Sequence, residues 1–180
     1  LVTSFLAGRK RNRERGMRDF LDPTAPAIAR TFRDSGYATA HYGKWHMGGG
    51  RDVDDAPLPS AYGFQEHFVN TEGMGPRVDR KIDPKYTWTR TYVDKSIDFI
   101  NRNRNGPFYL HLWLNDVHDR HEASPKFMER YEAFADRPFT QRFYAVLDEM
   151  DEQLGRLFRH VDSLGLRKKT LFVLTSDNGP

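Results

Sequence analysis

Apolar positions along this chain follow two patterns. Short runs that are apolar at nearly every position alternate with longer stretches in which apolar residues recur every three to four positions. The first pattern reads as buried strand and the second as amphipathic helix. Three runs stand out: Tyr37-Ala38-Thr39-Ala40-His41-Tyr42, Pro107 to Leu114 and Thr170 to Thr175. His67-Phe68-Val69 is a shorter candidate. The run from Pro107 has the continuous character of a strand covered on both faces.

Between these runs the helical period takes over. Residues 1–8 read as a short helix ended by Gly8, followed by a basic loop. Thr24-Ala25-Pro26 offers an N-cap with proline in the first turn; Ile28, Ala29 and Phe32 continue the stripe, and Gly36 closes it. From 89 to 104, Tyr92, Val93, Ser96, Ile97 and Ile100 share one face, and Asn105-Gly106-Pro107 breaks the pattern. A helix is expected over 124–135 from Ser124-Pro125. A longer one is expected over 139–164, burying Phe143, Val146, Leu147, Met150, Leu154, Leu157, Phe158 and Val161, with Gly165 as its stop. Residues 48–87 are rich in Gly, Pro and Asp and predict little regular structure besides 67–69.

Strands alternating with helices predict an α/β layered fold with a largely parallel central sheet flanked by helices. The 180 residues suffice for one core, and no internal repeat is evident. The chain opens at Leu1 in mid-pattern and closes at Pro180 just past a strand. It therefore reads as an internal part of a single domain, truncated at both ends.

Composition narrows the function classes. With 38% hydrophobic and 29% charged residues the chain reads as globular, not disordered. No apolar run is long enough for a membrane span, and no signal peptide is seen. The absence of cysteine excludes disulfides, thiolate metal sites and a thiol nucleophile within these residues. Net charge is +3, much of it in Arg9, Lys10, Arg11, Arg13, Arg15 and Arg18. Such a run suits either a solvated loop or an anionic surface. No aromatic residue interleaves with it before Phe20, so nucleic-acid bases have no stacking platform.

Each apolar strand empties into a polar group. The first ends in Gly43-Lys44-Trp45-His46-Met47-Gly48, whose glycines allow a sharp turn. The second runs into Asn115-Asp116-Val117-His118-Asp119-Arg120-His121, and the third into Ser176-Asp177-Asn178-Gly179. Parallel strands would gather these groups at their carboxyl edge, where open α/β sheets bind ligands. Lys44 is a fixed cation suited to an oxyanion, and His46 beside it can exchange a proton. His118 can protonate a leaving oxygen or serve as a hydrogen-bonded loop histidine. Asp177 and Asn178 offer hard oxygens for Ca²⁺ or Mg²⁺, or simply a turn. Asp116, His118, Asp119 and His121 also suit a transition metal in residue type, though no standard ligand spacing is present. His41 and His111 lie inside strands and read as core histidines, and His160 as solvent-facing.

The segment Gly36-Tyr37-Ala38-Thr39-Ala40-His41-Tyr42-Gly43-Lys44-Trp45-His46 resembles the second signature of the formylglycine-dependent (type I) sulfatases, within the alkaline-phosphatase superfamily. Tyr62-Gly63-Phe64, the Pro107–His118 unit and Ser176-Asp177-Asn178-Gly179 match in the same order, so the resemblance covers nearly the whole chain. It implies a sulfuric ester hydrolase with an alkaline-phosphatase-like layered fold. Lys44 and His46 would contact sulfate and nucleophile, His118 the leaving oxygen, and Asp177 with Asn178 a calcium or similar divalent ion. Asp119 and His121 would adjoin the alcohol portion of a sulfated small molecule or glycan. A periplasmic or secreted location follows from the resemblance only. The nucleophile, a hydrated formylglycine made in a Cys/Ser-x-Pro-x-Arg motif, is placed just before Leu1 by the match of Thr3-Ser4-Phe5-Leu6-Ala7-Gly8. Two departures stand out: Val2 occupies the motif's arginine position, and Tyr42 replaces a usually small residue.

Alternatives within reach of the same residues are a phosphonate monoester or phosphodiester hydrolase of that superfamily, and a non-catalytic anion or glycan binder. A nucleic-acid module built on Arg9–Arg18 has no second feature behind it. Residues 1–180 alone are expected to be inactive; turnover of an aryl sulfate by this piece would overturn that.

Overall fold

A computed structural model of the chain describes residues 8–16, 20–45, 47, 57–69, 84–118 and 120–176. Its centre is β1 (Ala38–Gly43), which pairs on one side with β2 (Glu66–Val69) and on the other with β3 (Phe108–Trp113). Both pairings are parallel, so the sheet order is β2-β1-β3. Registers run from Ala40↔Glu66 to Gly43↔Val69 and from Ala38↔Phe108 to Gly43↔Trp113. The architecture is α/β, as the alternating pattern predicts.

Strand pleating sends successive side chains to opposite faces. Ala40 and Tyr42 point toward Trp88, Tyr92 and Phe99 of helix α3 (Trp88–Asn103). The adjoining face of α3 presents Val93 and Ile100 to Leu157 and Val161 of helix α5 (Pro138–Ser163), with Phe108, Leu110 and Leu112 of β3 packed against the same cluster. Burying a side chain such as Phe99 or Ile100 contributes about 1.5–3 kcal/mol. On the other sheet face, helix α2 (Ile28–Asp34) places Ala29 in a cluster with Trp45, Tyr62, Phe64 and Val69. Tyr42 is accommodated despite its bulk because its ring is buried and its hydroxyl donates to Glu66 Oε2 at 3.2 Å. Glu66 in turn accepts two bonds from Arg102 of α3, at 2.6 and 2.7 Å. That pair is exposed enough to contribute only about 1 kcal/mol or less.

Several elements differ from the sequence expectation. Helix α1 (Gly8–Glu14) begins at Gly8 instead of ending there, and it occupies the supposed basic loop. Arginine and lysine lose little rotamer freedom in a helix, so charge density was no argument for a loop. The preceding residues, 1–7, fall outside the described set. Helix α2 starts at Ile28, not near Thr24, because the Thr24 hydroxyl and N–H both bond Asp22 Oδ1, at 2.7 and 2.9 Å. The helix expected over 124–135 is α4 (Pro125–Arg130), followed by a separate 3₁₀ turn over Glu132–Phe134. In α5 the buried stripe includes Gln141 and Gln153, whereas Phe158 is exposed. His160, expected to face solvent, is partly exposed and donates Nε2–H to Asn101 Oδ1 in an exposed bond of 2.8 Å.

The largest difference concerns 170–175. This run forms no ladder with any described residue, and Leu171, Val173 and Leu174 are 87%, 78% and 90% exposed. A parallel strand needs a neighbour to define it, and apolar content records only what a segment is suited to bury against. β3 is likewise half-buried along its length, since its second edge has no described partner.

Among the described strand residues, Gly43 is the one for which glycine is obligatory. Its φ is +113°, and a Cβ there would sit 1.9 Å from the Trp113 carbonyl oxygen. Gly43→Ala is therefore expected to destabilise the protein by about 3 kcal/mol or more, combining backbone strain with overpacking. Urea unfolding of the full-length protein measures this; a loss below about 1 kcal/mol would contradict the close approach.

Candidate active site

The carboxyl ends of β1 and β3 lie side by side, because Gly43 and Trp113 are paired in register. Directly past Gly43, the Lys44 N–H donates to the Trp113 carbonyl at 2.7 Å. The Lys44 carbonyl is met by His41 Nε2 at 2.8 Å. Both polar groups of one residue's backbone are thus anchored, one to each strand. The ammonium lies 5.5 Å from the Trp113 ring centroid, within cation–π range.

The loop leaving β3 carries His118. Its N–H closes a turn on the Asn115 carbonyl at 3.1 Å. Lys85, on the segment that leads into α3, donates to the carbonyls of His118 and Arg120, at 2.5 and 2.9 Å. The Thr89 hydroxyl donates a short bond to Asp116 Oδ2. Burial raises the Asp116 pKa, opposed by the Thr89 bond and the Lys85 charge. Asn115 Oδ1 is buried without a hydrogen-bond partner among the described residues. His121 donates Nε2–H to the Val117 carbonyl at 3.3 Å, and its ring stands edge-on to Phe139 and Phe143, each 5.2 Å away. Those contacts tie it to the start of α5.

Lys44 and His118 therefore both depart from one sheet edge, on adjacent strands. His121 sits on the same loop, turned toward α5. His46, Asp119, Asp177 and Asn178 lie outside the described residues. Among the described residues, no three His, Asp or Glu side chains converge to hold a metal. Of the transition-metal candidates, Asp116 is engaged by Thr89, and His121 by Val117 and the two phenylalanines. No described helix is long and apolar enough to cross a membrane.

Sequence reasoning missed Lys85 and Thr89. Their signal was positional: a helix that follows a strand and runs back along a parallel sheet starts at the carboxyl edge, so its first turn belongs to the site.

The family model described as Sulfatase matches residues 1–180. Steryl-sulfatase of Mus musculus is 37% identical over 91 residues, covering 51% of this chain and 14% of that protein. The ulvan-active sulfatase of Formosa agariphila is 27% identical over 184 residues, covering 84% of this chain and 35% of that protein. The crystal structure of Ps i-CgsB in complex with k-i-k-neocarrahexaose superposes with a TM-score of 0.65 at 17% identity, over 81% of this chain and 38% of that one. That likeness speaks to fold. The chain thus spans well under half the length of these relatives.

The site's histidines give a pH dependence of stability. His41 is fully buried, and its pKa is lowered from 6.5 to about 3, chiefly by burial and then by the neighbouring His111. The unfolded chain takes up a proton near pH 6.5 that the folded state refuses until about pH 3. Stability from this group is full above the unfolded value and is lost as pH falls toward the folded one. At pH 5 the loss from His41 alone is about 2 kcal/mol. Urea unfolding of the full-length protein at pH 7 and pH 5 should show it, and His41→Gln should remove that share of the dependence.

Proposed function

The chain belongs to the sulfatase family, and on that premise we propose that the protein hydrolyses sulfate esters. The observation that carries the reading is the placement of Lys44. A cation is set at the carboxyl edge with its backbone fixed to the last residue of the adjacent strand, whose loop then supplies His118. A sulfate ester needs both: a fixed positive charge on its non-bridging oxygens and a proton for the departing alkoxide.

In this reading the Lys44 ammonium and His46 hold the sulfuryl oxygens, and His118 delivers a proton to the leaving oxygen. Lys85 steadies the His118 loop through its carbonyls. Asp119 and His121 border the alcohol portion, which belongs to a sulfated small molecule or glycan. The mouse relative is named for steryl sulfates and the Formosa one for ulvan, so both kinds of alcohol occur among similar proteins.

Two groups complete the proposal. Asp177 and Asn178 carry the carboxylate and amide oxygens that Ca²⁺ or Mg²⁺ prefers. Two donors suit such an ion without filling its shell of six or more. Bound there, the cation would supply Lewis-acid polarisation of an ester oxygen. The nucleophilic oxygen is assigned to a hydrated formylglycine outside residues 1–180.

Full-length protein should turn over an aryl sulfate faster than the matching aryl phosphonate; a preference for phosphorus retires the sulfatase reading, and turnover of neither favours an anion binder. His118→Ala should lower kcat by roughly 10²- to 10⁴-fold for a poor leaving group and much less for nitrophenol. An equal loss on both substrates would remove His118 as the proton donor. Lys44→Ala should reduce kcat/KM by about 10²-fold or more.

A further inference from the structure

The sheet carries a row of histidines that the reaction above does not use. His67, His41 and His111 occupy one register across β2, β1 and β3. His41, in the middle, has no exposed surface. It is faced by the rings of Trp45 and Phe64, each 5.1 Å away, and by His111 at 4.8 Å. An aliphatic side chain would fill such a place with no polar atom to satisfy, so the imidazole calls for a reason.

Its hydrogen bonds supply one. A carbonyl oxygen only accepts, so His41 Nε2, 2.8 Å from the Lys44 carbonyl, must carry the proton. A neutral ring with Nε2–H has a lone pair on Nδ1. That lone pair faces His111 Nδ1 at 3.1 Å, so His111 must donate there. Burial lowers the pKa of both His41 and His111 and so favours the neutral rings that this one-way chain uses. The direction is therefore set from His111 Nδ1–H to His41 Nδ1, and from His41 Nε2–H to the Lys44 carbonyl.

We infer that His41 and His111 form a positioning relay for Lys44: His111 locks the His41 tautomer, and His41 locks the peptide that aims the lysine at the substrate anion. The inference rests on the role proposed for Lys44. Trp113 fixes the N–H side of that residue at 2.7 Å and His41 the carbonyl side, so the Gly43 turn holds the backbone from which the Lys44 side chain projects. Neither histidine touches substrate. Each acts through backbone.

The test separates positioning from core packing by an inverted order of variants. In the full-length protein, His41→Gln keeps an amide N–H able to reach the Lys44 carbonyl, whereas His41→Leu removes the donor and adds apolar volume. Packing alone makes the leucine variant the more stable and at least as active. Positioning makes it the less active, with kcat about ten- to a hundredfold below that of the glutamine variant even if it melts higher. Leucine matching or exceeding glutamine in kcat would overturn the relay. The double variant His41→Leu/His111→Phe, which strands no ring nitrogen, replaces the single one should that fail to fold, and the same comparison decides. Histidine ¹⁵N NMR of the wild-type protein assumes no substrate: Nε2–H on His41 with Nδ1–H on His111 is expected, and the opposite tautomer at His41 refutes the relay. If phosphonate and not sulfate proves to be the substrate, the sulfatase reading fails while both arms still read the relay.

Discussion

The backbone approach of Gly43 to Trp113 is the constraint on which the rest of this edge depends. Only a residue without a side chain can bring β1 that close to the β3 carbonyl, and only an in-register parallel pair sets the two residues opposite each other. Given that approach, the Lys44 N–H has an acceptor already in place and the chain leaves the strand in one direction. A looser junction would leave the lysine on an ordinary surface turn.

The support of the loop after β3 follows from the same topology. The chain leaves β2 at the carboxyl edge, so α3 begins there and runs back across the sheet to feed β3. Lys85 and Thr89 are therefore brought against the loop after Trp113, where they bind the carbonyls of His118 and Arg120 and the carboxylate of Asp116. Packing of Tyr92 and Phe99 under β1 holds the helix in that position. Apolar burial and polar placement are one arrangement seen at two ends of a helix.

Not all of this was legible beforehand. The strand around His41, the strand after Pro107 and the helices over Trp88–Asn103 and Pro138–Ser163 declare themselves by period, because each buries a regular face. The basic residues of Gly8–Glu14 carry no apolar stripe, so no burial period marks this helix in the sequence. Thr24 has the residue type of a cap, yet Asp22 two residues earlier accepts its hydroxyl. Residues 170–175 kept the composition of a strand with no described strand beside them. Of the transition-metal candidates, the described Asp116 and His121 turn to different partners, which residue type alone does not reveal.

What the sequence determined unaided was the strands around His41 and after Pro107, the two long helices, their parallel α/β arrangement and the turn that follows β1, since burial periodicity and glycine's backbone range are local properties. It also carried the family, through the spacing of Gly43-Lys44-Trp45-His46 and the later histidine. What tertiary structure alone decided was the use of the polar atoms between those landmarks. A histidine inside a strand reads as core whether or not it holds a neighbour. That His41 meets the Lys44 carbonyl on one side and His111 on the other depends on a turn and a register that bring together atoms three and seventy residues apart. Hydrogen bonds are directional and short-ranged, so their partners exist only once the strands have met.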